Sequence, residues 1–116
     1  MLVIYGIKNC DTMKKAFTEL EALGAKYVFH DYKKSGIDAK TLAGWIKTLG
    51  LDTVLNRKGT TWRKLTPEQQ AAATMEAGAI ALMVEQPSLI KRPVLAGDGF
   101  LLCGFSAEDY RKHLQG

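Results

Sequence analysis

Residues 2–16 read LVIYGIKNCDTMKKA: an apolar run, a glycine, a cysteine, then a helical pattern. A strand ending at Gly6 and feeding a helix that starts near Asp11 or Thr12 leaves Cys10 in the connecting loop, just ahead of the first helical turn. The first four N–H groups of a helix have no internal partners, so they and the helix dipole favour an anion placed beside them. A thiolate is such an anion. Cysteine titrates near ~8.5 and falls to roughly 3.5–7.5 beside a helix N-terminus and a cation, here expected to be Lys8. Many cysteines are merely small buried hydrophobes. The polar neighbours Lys8, Asn9, Asp11 and Thr12 argue against an apolar pocket around Cys10. Strand, glycine, cysteine, helix is also the layout of thioredoxin-like redox sites, whose dithiol form has a second cysteine three positions on. That position is Met13, so the loop is expected to act through one thiol and to borrow the second from another molecule.

Outward from this loop, Ala16, Phe17, Leu20 and Leu23 give residues 12–23 an apolar helical face that Gly24 stops. Residues 26–31 are β-branched and aromatic. A second strand reached through a helix pairs in parallel with the first, and ligands in open α/β sheets favour the strand ends where the thiol loop lies. His30, within that strand, is read as structural. Residues 32–37 form a polar turn, and Asp38 caps a helix to about Leu49, closed by Gly50. Gly59 marks a loop within residues 51–63. Thr66-Pro67-Glu68-Gln69 is a capping box with proline at the first helical position, opening one alanine-rich helix to about Met83 that Pro87-Ser88 breaks. A glycine-rich turn at residues 97–99 between residues 94–96 and 100–103 reads as a hairpin. Ser106 caps a last helix to about Leu114. The order is β-α-β, a helical insertion over about residues 38–90, then β-β-α: an α/β, thioredoxin-like core with a mixed four-stranded sheet, in one domain over residues 1–116; a sheet order of 2-1-3-4 would set its first and fourth strands two spacings apart.

Bulk properties narrow the function. The chain has 47% hydrophobic and 24% charged residues, which fits one globular domain with a modest core. The N-terminal apolar run is too short for a signal peptide and no run is long enough to cross a bilayer, so no membrane association and a cytoplasmic location are expected. Cysteines 10 and 103 are too few for a disulfide scaffold, and no spacing fits a metal site. The net charge of +4 comes from lysines and arginines scattered among acids, so nucleic acid is not expected as a partner. Cys103, expected two strand spacings from the first strand, is read as structural, as are Met75, Met83 and both tryptophans.

YGIKNCDTMKKA at residues 5–16, Asn56-Arg57-Lys58, and LIKRPVL at residues 89–95 together resemble the ArsC-like family of arsenate reductases, closest to its YffB/Spx-type branch. The resemblance spans essentially the whole chain. It implies that a cysteine loop at Cys10 meets arginines from the insertion and from the segment before the third strand, here Arg57 and Arg92, with Arg92-Pro93 at the family's cis-proline junction. Guanidinium groups are permanently charged forks suited to oxyanions and carboxylates, and they stabilise a nearby thiolate. The resemblance also implies glutathione as cosubstrate, with no bound cofactor. Departures steer the choice within the family. Glutaredoxin-linked arsenate reductases carry an arginine directly after the last-strand cysteine, where this chain has Gly104, and Spx-type regulators use a Cys-x-x-Cys pair that Met13 removes. The expected function is a glutathione-dependent thiol (disulfide) reductase with Cys10 as nucleophile and Lys8, Asn9, Thr12, Arg57, Arg92 and Pro93 around the ligand. The alternatives are an arsenate reductase coupled to glutathione and glutaredoxin, or a non-enzymatic Spx-like regulator that binds RNA polymerase.

Overall fold

The structure is a computed structural model that describes residues 2–115; Met1 and Gly116, the ends of the expected domain, lie outside the described residues. The chain divides into two compact units, one made of the chain up to Ser35 and from Arg92 onward, the other of Gly36–Lys91.

The first unit is the sheet. Strands β1 (Val3–Gly6), β2 (Val28–Asp31), β3 (Val94–Gly97) and β4 (Phe100–Cys103) lie in the order β2-β1-β3-β4. β1 pairs in parallel with β2, and antiparallel pairs join β1 to β3 and β3 to β4, so the sheet is mixed. Side chains alternate across a sheet, and Ile4 and Leu95 point to one face. There they bury completely with Met13, Ala16 and Leu20 of α1 (Asp11–Ala22) and Tyr110 of α8 (Ala107–Leu114). Met13, Ala16 and Leu20 recur at three and four, the spacing that puts one helical stripe on a sheet. The other face carries the register partners Tyr5, His30, Val94 and Cys103.

One local reading changes here. Residues 32–35 are a helical turn, α2 (Tyr32–Ser35), rather than a polar turn, and Tyr32 is buried. Its ring joins Tyr5 and His30, with centroids 6.5 and 6.0 Å away. His30 in turn lies 4.8 Å from Tyr5.

The second unit is helical. α3 (Ala39–Leu49) is capped by Asp38, whose Oδ1 accepts the Thr41 N–H at 2.7 Å. α4 (Leu51–Val54) and α5 (Thr60–Arg63) flank the loop that Gly59 marks within residues 51–63. Thr66 and Gln69 form the capping box of α6 (Pro67–Ala72), worth about 1 kcal/mol for such a cap. The alanine-rich helix is not continuous: α6 stops at Ala72 and α7 runs over Glu76–Glu85. The Thr74 hydroxyl donates to the Ala71 carbonyl at 2.7 Å, and the Ala72 carbonyl occupies the space a Cβ on Gly78 would need, so the chain folds back at this point. Met75 caps α7 from the surface and is 71% exposed, which corrects its reading as a packing residue; Met83 is buried. A 3-10 turn at Pro87–Leu89 leads to Ile90, which bridges Leu55. Among the described residues no helix is long and apolar enough to cross a membrane.

Candidate active site

Cys10 is the N-cap residue of α1. Its backbone is extended (φ −131°, ψ 132°) and its carbonyl accepts the Lys14 N–H at 3.0 Å, so the first helical hydrogen bond closes on the cysteine itself. Its side chain closes no formal cap hydrogen bond, but the N–H groups of the first turn, which have no partner within the helix, are close enough to favour the anion on its sulfur. Partial burial pushes the thiol up. That effect is outweighed by the Met13 and Thr12 backbone N–H groups and by Arg92, which donates a hydrogen bond and adds its charge; the net shift is below the ordinary thiol value. Three favourable donors around one thiolate is the arrangement that activates cysteine.

The position of Arg92 follows from strand pairing. β3 runs antiparallel to β1 with Tyr5 opposite Val94, so the residues just before β3 lie beside the residues just after β1. That geometry carries Arg92 to the thiol loop. The Arg92-Pro93 peptide is cis, Pro93 is buried, and its carbonyl accepts the Gly104 N–H at 2.8 Å. The residues expected around the ligand therefore separate. Cys10, Thr12, Arg92 and Pro93 come together through α1 and the start of β3. Lys8 and Asn9 lie in the same loop with exposed side chains, and the cation acting on the thiol is Arg92 rather than the Lys8 inferred from sequence. Arg57 belongs to the helical unit. Its Nη1 donates to Asp52 Oδ1 at 2.7 Å and its guanidinium lies 5.8 Å from the centre of the Trp62 ring.

Two departures from the family pattern, at Met13 and at Gly104, have a visible structural setting. Met13 is fully buried in the core, and a Cβ at Gly6 would overlap its Sδ and Cε, so a larger residue at the end of β1 would have to push the methionine tip aside within the core. Gly104 has φ 81°, in the left-handed region where an arginine would be strained. The missing third arginine thus coincides with a backbone shape that favours glycine.

Tyr32 escaped the sequence reading. Its hydroxyl is buried without a hydrogen-bond partner. Burial, and after it the charges of Cys103 and Tyr5, push its pKa up, while Arg92 pulls the other way. Its only signal in sequence was an aromatic residue closing a strand. Neither cysteine is in a disulfide. Among the described residues no group of three histidines, cysteines or carboxylates is placed to hold a metal ion.

The same arrangement of strands, thiol loop and insertion occurs in known proteins. The model of the ArsC family matches residues 5–113. An uncharacterized protein of Haemophilus influenzae is 39% identical over 111 residues, 96% of each chain. Among solved structures, a protein called YFFB is 52% identical with a TM-score of 0.94, covering 98% of this chain and 99% of its own. An arsenate reductase (ArsC) related protein from Brucella melitensis is 50% identical with a TM-score of 0.74, covering 99% of this chain and 95% of its own. With the family model matched from β1 into α8, over both the thiol loop and the helical insertion, the chain belongs to the ArsC family.

Proposed function

We propose that the protein is a glutathione-dependent thiol reductase that works through Cys10 alone. The observation that carries this reading is the Cys10 sulfur at the start of α1 with Arg92 donating to it and its pKa lowered, next to a buried methionine at the position of a second thiol. The Cys10 thiolate attacks the glutathione sulfur of a mixed disulfide. A Cys10–glutathione disulfide forms, the substrate's own sulfur leaves as a thiolate and takes up a proton. A second glutathione thiolate then attacks the glutathione sulfur on Cys10, giving glutathione disulfide and restoring the Cys10 thiolate. Such exchange is favoured when the attacking thiol has a pKa near ambient pH. Arg92 holds the thiolate between turnovers, and the buried Pro93 orients the bound backbone. Lys8, Asn9 and Thr12 line the loop. Arg57 enters through the family resemblance, as a holder of a glutathione carboxylate. Glutathione is a cosubstrate here, and the reaction belongs in a reducing cytoplasm, with glutaredoxin as an optional downstream thiol donor.

The arsenate reading is favoured by the description of the Brucella melitensis relative and weakened by Gly104, whose backbone disfavours the third arginine. Reduction of a glutathionylated peptide by glutathione, followed alongside arsenate reduction, separates the two. Turnover of the peptide with a glutathione adduct on Cys10 and none on Cys103 is the expected result. Arsenate turnover without peptide turnover overturns the reading, and the absence of both moves it to a regulator that binds RNA polymerase.

A further inference from the structure

The helical unit carries a recess of its own. It has a volume of about 270 Å³ and is bounded by Asp52, Leu55, Asn56, Arg57, Lys58 and Lys91. Three of these side chains are cationic and one is a carboxylate. The recess is built by backbone pairing rather than by loose side chains: Leu55 bridges Ile90, the Asn56 N–H donates to the Leu89 carbonyl at 2.8 Å, and the Lys91 N–H donates to the Val54 carbonyl at 2.9 Å. Those bonds set Lys91 beside the Arg57 loop. The loop is fixed a second time from within. Asn56 Oδ1 accepts the Lys58 N–H at 3.1 Å, and Arg63 Nη2 donates to the Lys58 carbonyl at 2.9 Å.

Within this frame Arg57 is presented as a fork. Its guanidinium lies near the Trp62 ring, a contact that orients the plane, and a carboxylate already sits on it. Asp52 reaches Nη1 through one oxygen at 2.7 Å, whereas a carboxylate can take two parallel hydrogen bonds from such a fork. The Asp52 side chain is 90% exposed, and an exposed ion pair of this kind is weak. Once Asp52 swings out, the three cations are left facing the recess with no lining carboxylate on them.

We propose that this recess is a subsite for a carboxylate-bearing ligand and that Asp52 is its built-in competitor, holding the Arg57 fork until a ligand carboxylate displaces it. Asp52 is then a specificity-determining residue, because a ligand must exceed the internal carboxylate to bind. The identification of that carboxylate with one end of glutathione rests on the proposed reductase function; the recess and its competitor do not.

The test uses the whole chain. The Nε–Hε resonance of Arg57 and the backbone amides of residues 56–59 and 91 are followed by NMR at constant ionic strength while acetate, inorganic phosphate and S-methylglutathione are added in separate titrations. Acetate is expected to shift these resonances, with an affinity about two- to five-fold higher in Asp52→Asn, and with that gain lost in the Asp52→Asn, Arg57→Met double variant. Equal acetate affinity in the parent and Asp52→Asn overturns the competitor role. Binding of phosphate without acetate overturns the carboxylate class. A response to acetate but none to S-methylglutathione leaves the recess standing and removes glutathione as its ligand. Failure of peptide reduction with these shifts intact removes the reductase reading alone.

Discussion

Two arginines show how differently one side chain is used in the two units. Arg92 leaves the start of β3 partly buried and gives its hydrogen bond and charge to a thiolate. Arg57 stands on a loop of the helical unit, exposed, with an exposed carboxylate on its fork. The first is held by strand pairing and serves an internal anion that cannot leave. The second is paired with an anion on an exposed side chain. Under the proposed function, the guanidinium committed inside the protein tunes reactivity and the one on the exposed loop takes a ligand.

The contrast breaks most sharply at the nucleophile. Cys10→Ser is expected to lower reduction of a glutathionylated peptide about 10³-fold or more, as loss of a nucleophile does elsewhere, while circular dichroism stays that of the parent. Next in size is Arg92→Met, expected to cost about 10- to 100-fold in the same assay through loss of a charge-assisted hydrogen bond. Its sign in a pH experiment is fixed. The folded thiol pKa lies below the ordinary value, so alkylation of Cys10 by iodoacetamide reaches its plateau at a lower pH than for a free thiol, and Arg92→Met moves the profile up. Arg57→Met leaves that profile in place if Arg57 acts on ligand alone; a shared upward shift removes the distinction between the two arginines.

Smaller effects test the scaffold under each. Gly6→Ala forces a methyl against Met13 and is expected to destabilise the sheet unit by about 1–3 kcal/mol in urea unfolding. Thr66→Ala removes one half of the capping box and is expected to cost about 1 kcal/mol. The alkylation profile should be unmoved by Thr66→Ala, since the groups that shift Cys10 all lie outside the helical unit.

The sheet and its thiol loop were legible because their signals are local: apolar alternation, a glycine, a helical stripe, a cap. The parallel pairing of the first two strands and the hairpin of the last two were legible in the same way. The partner of Cys10 was not local. Lys8 stands two residues away and was the natural choice, yet the cation that acts on the sulfur arrives by an antiparallel pairing more than eighty residues along the chain. The split of the alanine-rich helix was hidden for another reason. Residues 67–83 hold strong helix formers, and what divides α6 from α7 is a close approach of the Ala72 carbonyl to Gly78, visible only once both are folded. The Asp52–Arg57 pair is five residues apart, outside the three-or-four rule for helical neighbours. It forms because α4 ends at Val54 and the chain turns into its bridge with Ile90.

The seal between Gly6 and Met13 also restricts how this loop can be re-engineered. A Met13→Cys replacement that adds a second thiol removes buried volume beside the glycine. The methyl of a Gly6→Ala replacement falls into that same space. Either change alone disturbs the core, one by emptying it and the other by crowding it, so the two positions are coupled by volume. In a conversion from a one-thiol to a two-thiol loop, a methyl at the residue ending the strand would refill part of the volume that the residue carrying the sulfur gives up.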